Sequence, residues 1–281
     1  MFKKFIVACS LPIVLLFGPM IAQCVPAYAQ LRAEPRHSAE LVSQLICGEL
    51  VRVLKEDGPW VLIRTEHGYE GFTRTEQIQF HSDPINYSTL HRLQKTEIRK
   101  ENTPFQKLEP EGSIFLNYIL KTEAKSDTDI FDITFPPLFS SQTLANQAMR
   151  LLTVPYVWGG KTVFGLDCSG LVQFLFQKQG YSFPRDAWQQ AEIGLDISFD
   201  SSKPEFEPGD LLFFQNPGKK VHHVAISLGG SRYIHASEWV RINSLHEADA
   251  DFKKERKETL VNAKRIQPET LVSLLDSFRK L

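Results

Sequence analysis

Cysteine is scarce in this chain of 281 residues, which contains four, and no two of them have the spacing of a zinc-binding pair. We therefore expect no structural zinc site, and we predict neither a metal nor another cofactor. An excess of charge of either sign is also missing, because 32 Lys and Arg stand against 33 Asp and Glu. This balance gives no electrostatic reason to predict nucleic acid or an anionic membrane as a partner.

The N-terminus has the pattern of a targeting segment. Two lysines precede an apolar stretch that prolines and a glycine interrupt, and Ala27-Tyr28-Ala29 has the small-x-small pattern of a signal-peptidase site. Residues 1–29 are therefore predicted to be a signal peptide. Lipidation at Cys24 is disfavoured, since Gln23 stands where a small residue is expected. We expect an exported protein of the periplasm or cell envelope, with no stable membrane insertion after cleavage.

Residues 30–80 have the pattern of a small all-β barrel. Short runs in which apolar and polar residues alternate are separated by turns that contain glycine. The runs are Leu41–Leu45, Leu50–Leu54, Trp60–Arg64 and Tyr69–Thr73. Cys47 lies at the end of the first run, so we expect it and Cys168 to be two separate thiols.

The remaining chain divides into an ambiguous stretch and an α+β domain. Residues 81–140 are predicted to be either a linker or a degenerate second β unit. In residues 141–281, two helices precede a series of strands, and a final helix is predicted from Pro268 to Phe278. Helices followed by strands indicate helices packed on one face of an antiparallel sheet.

Cys168 stands where the second of those helices is predicted to begin. Asp167 is a suitable N-cap, and apolar residues recur at helical spacing after Gly170. A thiol at a helix N-terminus faces the positive end of the helix dipole, which favours the thiolate. The alternative is that Cys168 is a small buried apolar residue of a core helix.

Two histidines on neighbouring predicted strands could serve such a nucleophile. His223 shares one side of its strand with the small residues Ala225 and Ser227, which would let a helix lie close to it. His235, on the next strand, could hold the His223 ring, giving a Cys-His-His relay. Two unrelated strand histidines are the alternative.

Six motifs occur in the order and approximate spacing of the NlpC/P60 family of cell-wall peptidases, which this region resembles. They are Pro155-Tyr156-x-Trp158-Gly159-Gly160, Asp167-Cys168-Ser169-Gly170-Leu171-Val172, Pro184-Arg185, Pro208-Gly209-Asp210-Leu211, His223-Val224-Ala225-Ile226 and Ile234-His235-Ala236. The β-rich segment before them resembles the bacterial SH3-like domain found in cell-wall enzymes.

The resemblance implies a papain-like cysteine peptidase that cuts peptidoglycan stem peptides between γ-D-glutamate and a diamino acid such as meso-diaminopimelate. By motif position, Cys168 is the nucleophile, His223 the general base and acid, and His235 the residue that orients it. The backbone amide of Cys168 and the Tyr156 hydroxyl are candidate oxyanion donors. A packing role is the alternative for Tyr156.

Some relatives with SH3-like domains resemble dipeptidyl-type enzymes that require a free N-terminal L-Ala amine. Asp186 matches the position expected to bind that amine, although Ala187 follows it where a serine is common. The other substrate-binding candidates are Asp167 and Ser169 beside the nucleophile, and Glu34 and Tyr69 from the SH3-like domain.

Two other functions remain open at this point. One is a non-catalytic wall-binding protein with a decayed peptidase domain, and the other is an amidase or acyltransferase on the same scaffold. Under the peptidase interpretation, the partners are peptidoglycan stem peptides, and a monomer is expected.

Overall fold

A computed structural model describes residues 20–81, 139–179 and 181–271. Its N-terminal part consists of seven strands, with a short 3-10 helix at Thr75–Gln77 before the last. The strands are β1 (Ile21–Cys24), β2 (Tyr28–Arg32), β3 (Leu41–Ile46), β4 (Leu50–Asp57), β5 (Trp60–Thr65), β6 (Glu70–Arg74) and β7 (Ile78–His81).

These strands form one antiparallel sheet in the order β3-β2-β6-β5-β4-β1-β7. Its core contains alternate residues of the central strands, such as Leu31, Val61 and Ile63, all fully buried. Gly48 and Gly68 have φ of 83° and 76° at the predicted turns, which explains why glycine is needed there. A small all-β SH3-like unit is therefore confirmed, although the strand pairings of the described residues do not close into a ring.

The sheet begins before the predicted domain boundary at Ala29. Strand β1 lies between β4 and β7, and Ala22, Cys24 and Ala29 are buried in the core. A cleavage after Ala29 would remove β1 and the first residues of β2. The boundary prediction was wrong because small apolar residues suit a buried strand as well as a leader. An export role for residues 1–19 lies outside the described residues and stays a prediction.

Within residues 139–179 and 181–271, the C-terminal part contains four complete helices and eight strands. The helices are α1 (Ser141–Met149), α2 (Cys168–Lys178), α3 (Ala187–Gln190) and α4 (Lys254–Thr259). The strands are β8 (Lys161–Thr162), β9 (Gly165–Leu166), β10 (Leu195–Asp196), β11 (Leu211–Gln215), β12 (Val221–Gly229), β13 (Arg232–Ser237), β14 (Trp239–Ser244) and β15 (Leu260–Arg265).

Six of these strands form an antiparallel sheet in the order β10-β15-β11-β12-β13-β14. The main core lies between this sheet and helices α1 and α2, where Leu144, Leu171 and Val172 pack with Val224 and Ile226. The predicted α+β fold is confirmed. Helix α4 and strand β14 were not predicted, and both contribute to the site described below.

Two predictions fall largely outside the described residues. The ambiguous stretch 81–140 is described only at its ends, at residue 81 and at residues 139–140. The predicted final helix is described only as a helical start over residues 268–271. Among the described helices, none has both the length and the apolar character needed to cross a membrane.

The SH3-like sheet packs directly on the C-terminal domain. The Lys161 ammonium lies 3.0 and 3.1 Å from the two Glu49 carboxylate oxygens, and both side chains are buried. The Lys161 backbone N–H donates to the Gln44 side chain at 2.9 Å. At Gly159, which has a φ of 75°, an added Cβ would lie 2.3 Å from the Leu41 carbonyl oxygen. This close contact places β3 beside the residues that precede Cys168.

Candidate active site

Cys168 is the first residue of α2. The Asp167 side chain caps the helix by accepting the Gly170 N–H at 2.7 Å, as the sequence predicted. Gly170 must be glycine, because a Cβ there would lie 2.0 Å from the Gly160 carbonyl oxygen. The cap and this close approach hold the start of the helix, and with it the thiol, in a fixed position.

The Cys168 thiol lies against the backbone on both sides of His223. Its Sγ is 3.9 Å from the His222 carbonyl oxygen, and the Val224 N–H also interacts with the sulfur. Burial, together with the Asp167 carboxylate, raises the pKa of Cys168 to about 11. The backbone N–H groups of Val224 and Ser169 lower this pKa, but by less. Desolvation therefore outweighs the helix terminus, which by itself favours the thiolate.

A chain of hydrogen bonds leads away from His223. His223 Nε2 lies 2.7 Å from His235 Nδ1, and His235 Nε2 lies 3.0 Å from Asn243 Oδ1. The Asn243 Nδ2 group donates to the Asp251 carbonyl oxygen at 2.9 Å, which fixes Oδ1 as an acceptor. His235 must then donate from Nε2 and accept at Nδ1.

This chain sets the protonation of the His223 ring. His223 donates from Nε2 to His235, so its Nδ1 is the nitrogen left to accept a proton from Cys168. Asn243, on the unpredicted strand β14, was missed by sequence analysis. In the structure, Asn243 pairs with Tyr233 on the strand that carries His235. Only this pairing points to its role.

Both histidines are held in the neutral form. Burial lowers the pKa of His223 well below its ordinary value, and the Arg256 guanidinium and His235 act in the same direction. Burial also lowers the pKa of His235 to about 4, although the hydrogen bond that His235 donates to Asn243 raises it. A neutral His223 is the form that can take the thiol proton.

The structure places His223 in the same cavity as Cys168, but not for the reason that the strand pattern gave. The strand side that carries Val224 and Ile226 is the one that packs on α2. Ala225 belongs to a second cluster on the other face, with Phe214 and Tyr233. The His223 ring lies near the Phe214 ring, with centroids 5.6 Å apart, and it lines the same cavity as Cys168.

A cavity of about 320 Å³ opens over these groups. Cys168, His223 and Tyr156 line it together with residues of the β13–β14 turn and Arg256. Burial, followed by the charges of Cys168 and Asp167, raises the pKa of Tyr156, so its hydroxyl stays protonated and can donate a hydrogen bond. Among the described residues, no three His, Cys, Asp or Glu side chains are grouped as metal ligands would be.

Comparisons with known proteins match both domains of this chain. Residues 153–256 match the NlpC/P60 family, and residues 27–76 match the bacterial SH3 domain. The γ-D-glutamyl-L-lysine dipeptidyl-peptidase of Bacillus subtilis (strain 168) is 30% identical over 221 residues, covering 69% of this chain and 71% of that protein. The chain belongs to the NlpC/P60 family.

Further similar proteins extend over more of the NlpC/P60 chain. Dipeptidyl-peptidase 6 of Lysinibacillus sphaericus is 28% identical over 277 residues, covering 86% of this chain and 97% of that protein. A solved NlpC/P60 family protein from Bacillus cereus ATCC 10987 is 20% identical, with a TM-score of 0.42, over 90% of this chain and 64% of that one.

Two of the predicted substrate-binding residues of the NlpC/P60 domain are engaged with Arg185. Its guanidinium bridges to both Asp167 oxygens and donates to the Ser169 hydroxyl at 3.0 Å, all buried. Arg185 also donates to Ser43 of the SH3-like sheet at 3.2 Å. Asp167 and Ser169 therefore hold the nucleophile's helix against the second domain, and their predicted contact with substrate stays a prediction.

The SH3-like domain also brings polar groups to this end of the site. Burial raises the pKa of Tyr69 to about 12, and the nearby Asp186 carboxylate adds to the rise. Burial likewise raises the pKa of Asp186, with Arg185 acting in the opposite direction. The charge of Asp186 thus acts on the Tyr69 hydroxyl across the domain interface.

Glu34 is located elsewhere, and Glu40 is the nearer acid. The exposed Glu34 carboxylate pairs with Arg36 at 3.0 Å. Glu40 instead accepts the Trp158 indole N–H at 2.7 Å, and its charge also raises the pKa of Tyr69. Glu40 was not predicted, because only the packing of β3 on the Trp158 loop brings it to Trp158, which lines the cavity.

Proposed function

We propose that this protein is a cysteine peptidase that cleaves the amide between γ-D-glutamate and the diamino acid of peptidoglycan stem peptides. The observation that carries the proposal is that Cys168 and His223 line one open cavity, with His223 held by a buried hydrogen-bond chain to His235 and Asn243. The names of the B. subtilis and L. sphaericus relatives support this substrate class.

The reaction begins with proton transfer. The Cys168 thiol gives its proton to Nδ1 of the neutral His223 as the sulfur attacks the γ-carbonyl carbon. The resulting oxyanion accepts hydrogen bonds from the Tyr156 hydroxyl and from the Cys168 N–H, which helix α2 leaves free at its first residue. His223 then gives the proton to the leaving nitrogen, and the C–N bond breaks.

Hydrolysis of the thioester completes the cycle. Water loses a proton to His223 and attacks the acyl carbon, and the Cys168 sulfur leaves and regains the proton. The hydrogen bond from His223 Nε2 to His235 is present in every step, because His223 donates from that nitrogen in both protonation states. His235 and Asn243 thus keep the ring oriented while its Nδ1 gains and loses a proton.

The second part of the proposal is that the substrate must have a free N-terminal amine. Asp186, Tyr69 and Glu40 form an acidic end of the site, where an ammonium would find carboxylates and a hydroxyl. The domain interface fixes these groups at a limited distance from Cys168, which suits a substrate with two residues on the acyl side. Export to the cell envelope, where peptidoglycan lies, is the location that fits this substrate.

The test compares L-Ala-γ-D-Glu-meso-diaminopimelate, its L-Lys analogue and their N-acetylated forms, with products identified by mass spectrometry. We expect release of L-Ala-D-Glu from at least one free tripeptide and much slower cleavage of its acetylated form. If no tripeptide of the four is cleaved, the peptidase proposal is wrong. Equal rates with and without the acetyl group would contradict the free-amine part alone.

A further inference from the structure

Arg256 places an unpaired positive charge in the wall of the catalytic cavity. The residue lies on the short helix α4, and it lines the cavity together with Cys168 and His223. Its Nη1 atom is buried and has no hydrogen-bond partner among the described residues. The guanidinium carbon lies 5.6 Å from the centre of the Phe214 ring, which supports the side chain without neutralising it.

Two of the acidic groups near the cavity are engaged elsewhere, while Glu255 directly precedes Arg256 on α4. Glu238, which also lines the cavity, pairs with Arg241 at 2.7 Å. Asp251, near the end of the histidine chain, pairs with Arg232 at 2.7 Å. A buried charged donor without a partner is costly, so such a group is usually completed by a ligand of opposite charge. The guanidinium fork fits a carboxylate, which can accept two parallel hydrogen bonds.

The site therefore has opposite charges at its two ends. The acidic end contains Asp186, next in sequence to Arg185, whose guanidinium binds Asp167 before Cys168. Arg256 instead lines the cavity with His222 and His223, which places it at the general base. Because His223 protonates the leaving nitrogen, the leaving group must lie on this side.

The stem peptide has the matching polarity. Its acyl part begins with an ammonium, and its leaving diamino acid has an α-carboxylate. We propose that Arg256 forms a subsite for the α-carboxylate of the leaving diamino acid. This inference rests on the proposed function, and it adds a specificity residue on the leaving-group side that neither the motifs nor the SH3-like domain supply.

The test uses paired substrates that differ only at this carboxylate. L-Ala-γ-D-Glu-L-Lys and L-Ala-γ-D-Glu-meso-diaminopimelate are each compared with the form that has an α-carboxamide on the leaving residue. In the Arg256→Gln protein, we expect KM for the free acids to rise about 10- to 100-fold, with little change for the carboxamides. Arg256→Lys should recover part of the loss, because it keeps the charge but not the fork.

A matched control separates this subsite from a general loss of charge. Lys254→Gln removes a positive charge from the same helix at an exposed position, and it should leave KM for both forms unchanged. Binding is measured as well, by calorimetry of the free acids on Cys168→Ala and on Cys168→Ala/Arg256→Gln, so that the result does not depend on turnover. Thermal melting checks that Arg256→Gln folds. If it does not fold, Arg256→Lys is compared with the wild type in its place.

The outcomes are distinct. If Arg256→Gln lowers kcat equally for free acids and carboxamides, Arg256 acts on the histidines and the subsite inference is wrong. A wild-type protein that cleaves acid and carboxamide with equal kcat/KM also overturns it while the peptidase proposal stands. If the wild type cleaves none of these peptides, the proposed function itself fails, and the inference fails with it.

Discussion

The buried ion pair between Lys161 and Glu49 is expected to fix the SH3-like domain on the catalytic domain. The side chains are 2% and 9% exposed, and both carboxylate oxygens contact the ammonium. The substitution Glu49→Gln keeps the shape and retains an acceptor for the Ile46 N–H, which Glu49 binds at 3.0 Å. In the described structure, Glu49 is the only fully charged negative partner of the Lys161 ammonium, and the substitution removes that charge.

The cost follows from the burial of both groups. Removing one member of a buried pair leaves an uncompensated charge, and such changes cost about 3–5 kcal/mol. Because Gln still offers one acceptor, we expect Glu49→Gln to lower the free energy of unfolding by roughly 3 kcal/mol. Lys161→Met/Glu49→Gln removes the stranded ammonium, so the double variant should lose less than the sum of the single variants.

Urea unfolding of the wild type, both single variants and the double variant gives the coupling energy. Circular dichroism and tryptophan fluorescence follow the transition, and the exposed pair Lys55–Asp57 supplies a control through Asp57→Asn, with an expected change within about 0.5 kcal/mol. A loss below about 1 kcal/mol for Glu49→Gln, or additive single and double losses, would refute the reasoning.

Three further predictions concern the N-terminus, the histidine pair and Asn243. Deleting residues 1–29 should destabilise the SH3-like domain relative to deleting residues 1–19, because only the longer deletion removes β1 from between β4 and β7; equal melting temperatures would contradict this. The folded-state pKa values of His223 and His235 lie below 6.5, so the unfolded chain binds more protons in acid. Their contribution to the free energy of unfolding is therefore complete above pH 6.5 and decreases as the pH falls. For the two groups together, the decrease from pH 7.5 to 5.5 should be about 2–3 kcal/mol. A urea midpoint that does not change with pH would refute this. Asn243→Ala should lower kcat by about 10-fold or more and change the pH profile of kcat, since His235 loses the acceptor that sets its tautomer. An unchanged pH profile would show that Asn243 has a purely structural role.

The candidate catalytic residues could be chosen from sequence because the signals that point to them are local. Asp167 caps the helix that begins at Cys168, and the motif order assigns His223 and His235 without knowledge of the packing. The prediction of which side of β12 faces helix α2 was wrong. It placed the helix on the Ala225 face, whereas larger Val224 and Ile226 side chains form that contact.

Residues brought in by long-range packing were missed. Asn243 and Arg256 lie on β14 and α4, and neither has a sequence pattern that shows where its side chain will point. Glu40 reaches Trp158, at the edge of the cavity, because β3 packs on the loop before Cys168. This hydrogen bond joins the two domains, and its two residues are 118 positions apart in sequence. Glu34 had the expected residue type, but it pairs locally with Arg36.

The boundary of the SH3-like domain was misplaced for a related reason. Small apolar residues around Ala22 and Ala29 fit both a leader with a cleavage site and an alternating strand. Only the pairing of β1 with β4 and β7 separates these interpretations. Pairing across distant segments is a tertiary property, and composition alone does not report it.

The central claim is that Cys168 attacks the γ-D-glutamyl amide with His223 as its base. The most direct measurement is mass-spectrometric product analysis of the free tripeptides with the wild type, Cys168→Ala and His223→Gln, each verified as folded by circular dichroism. The account predicts L-Ala-D-Glu and the free diamino acid from the wild type only. Release of the same products by folded Cys168→Ala at a comparable rate would contradict it.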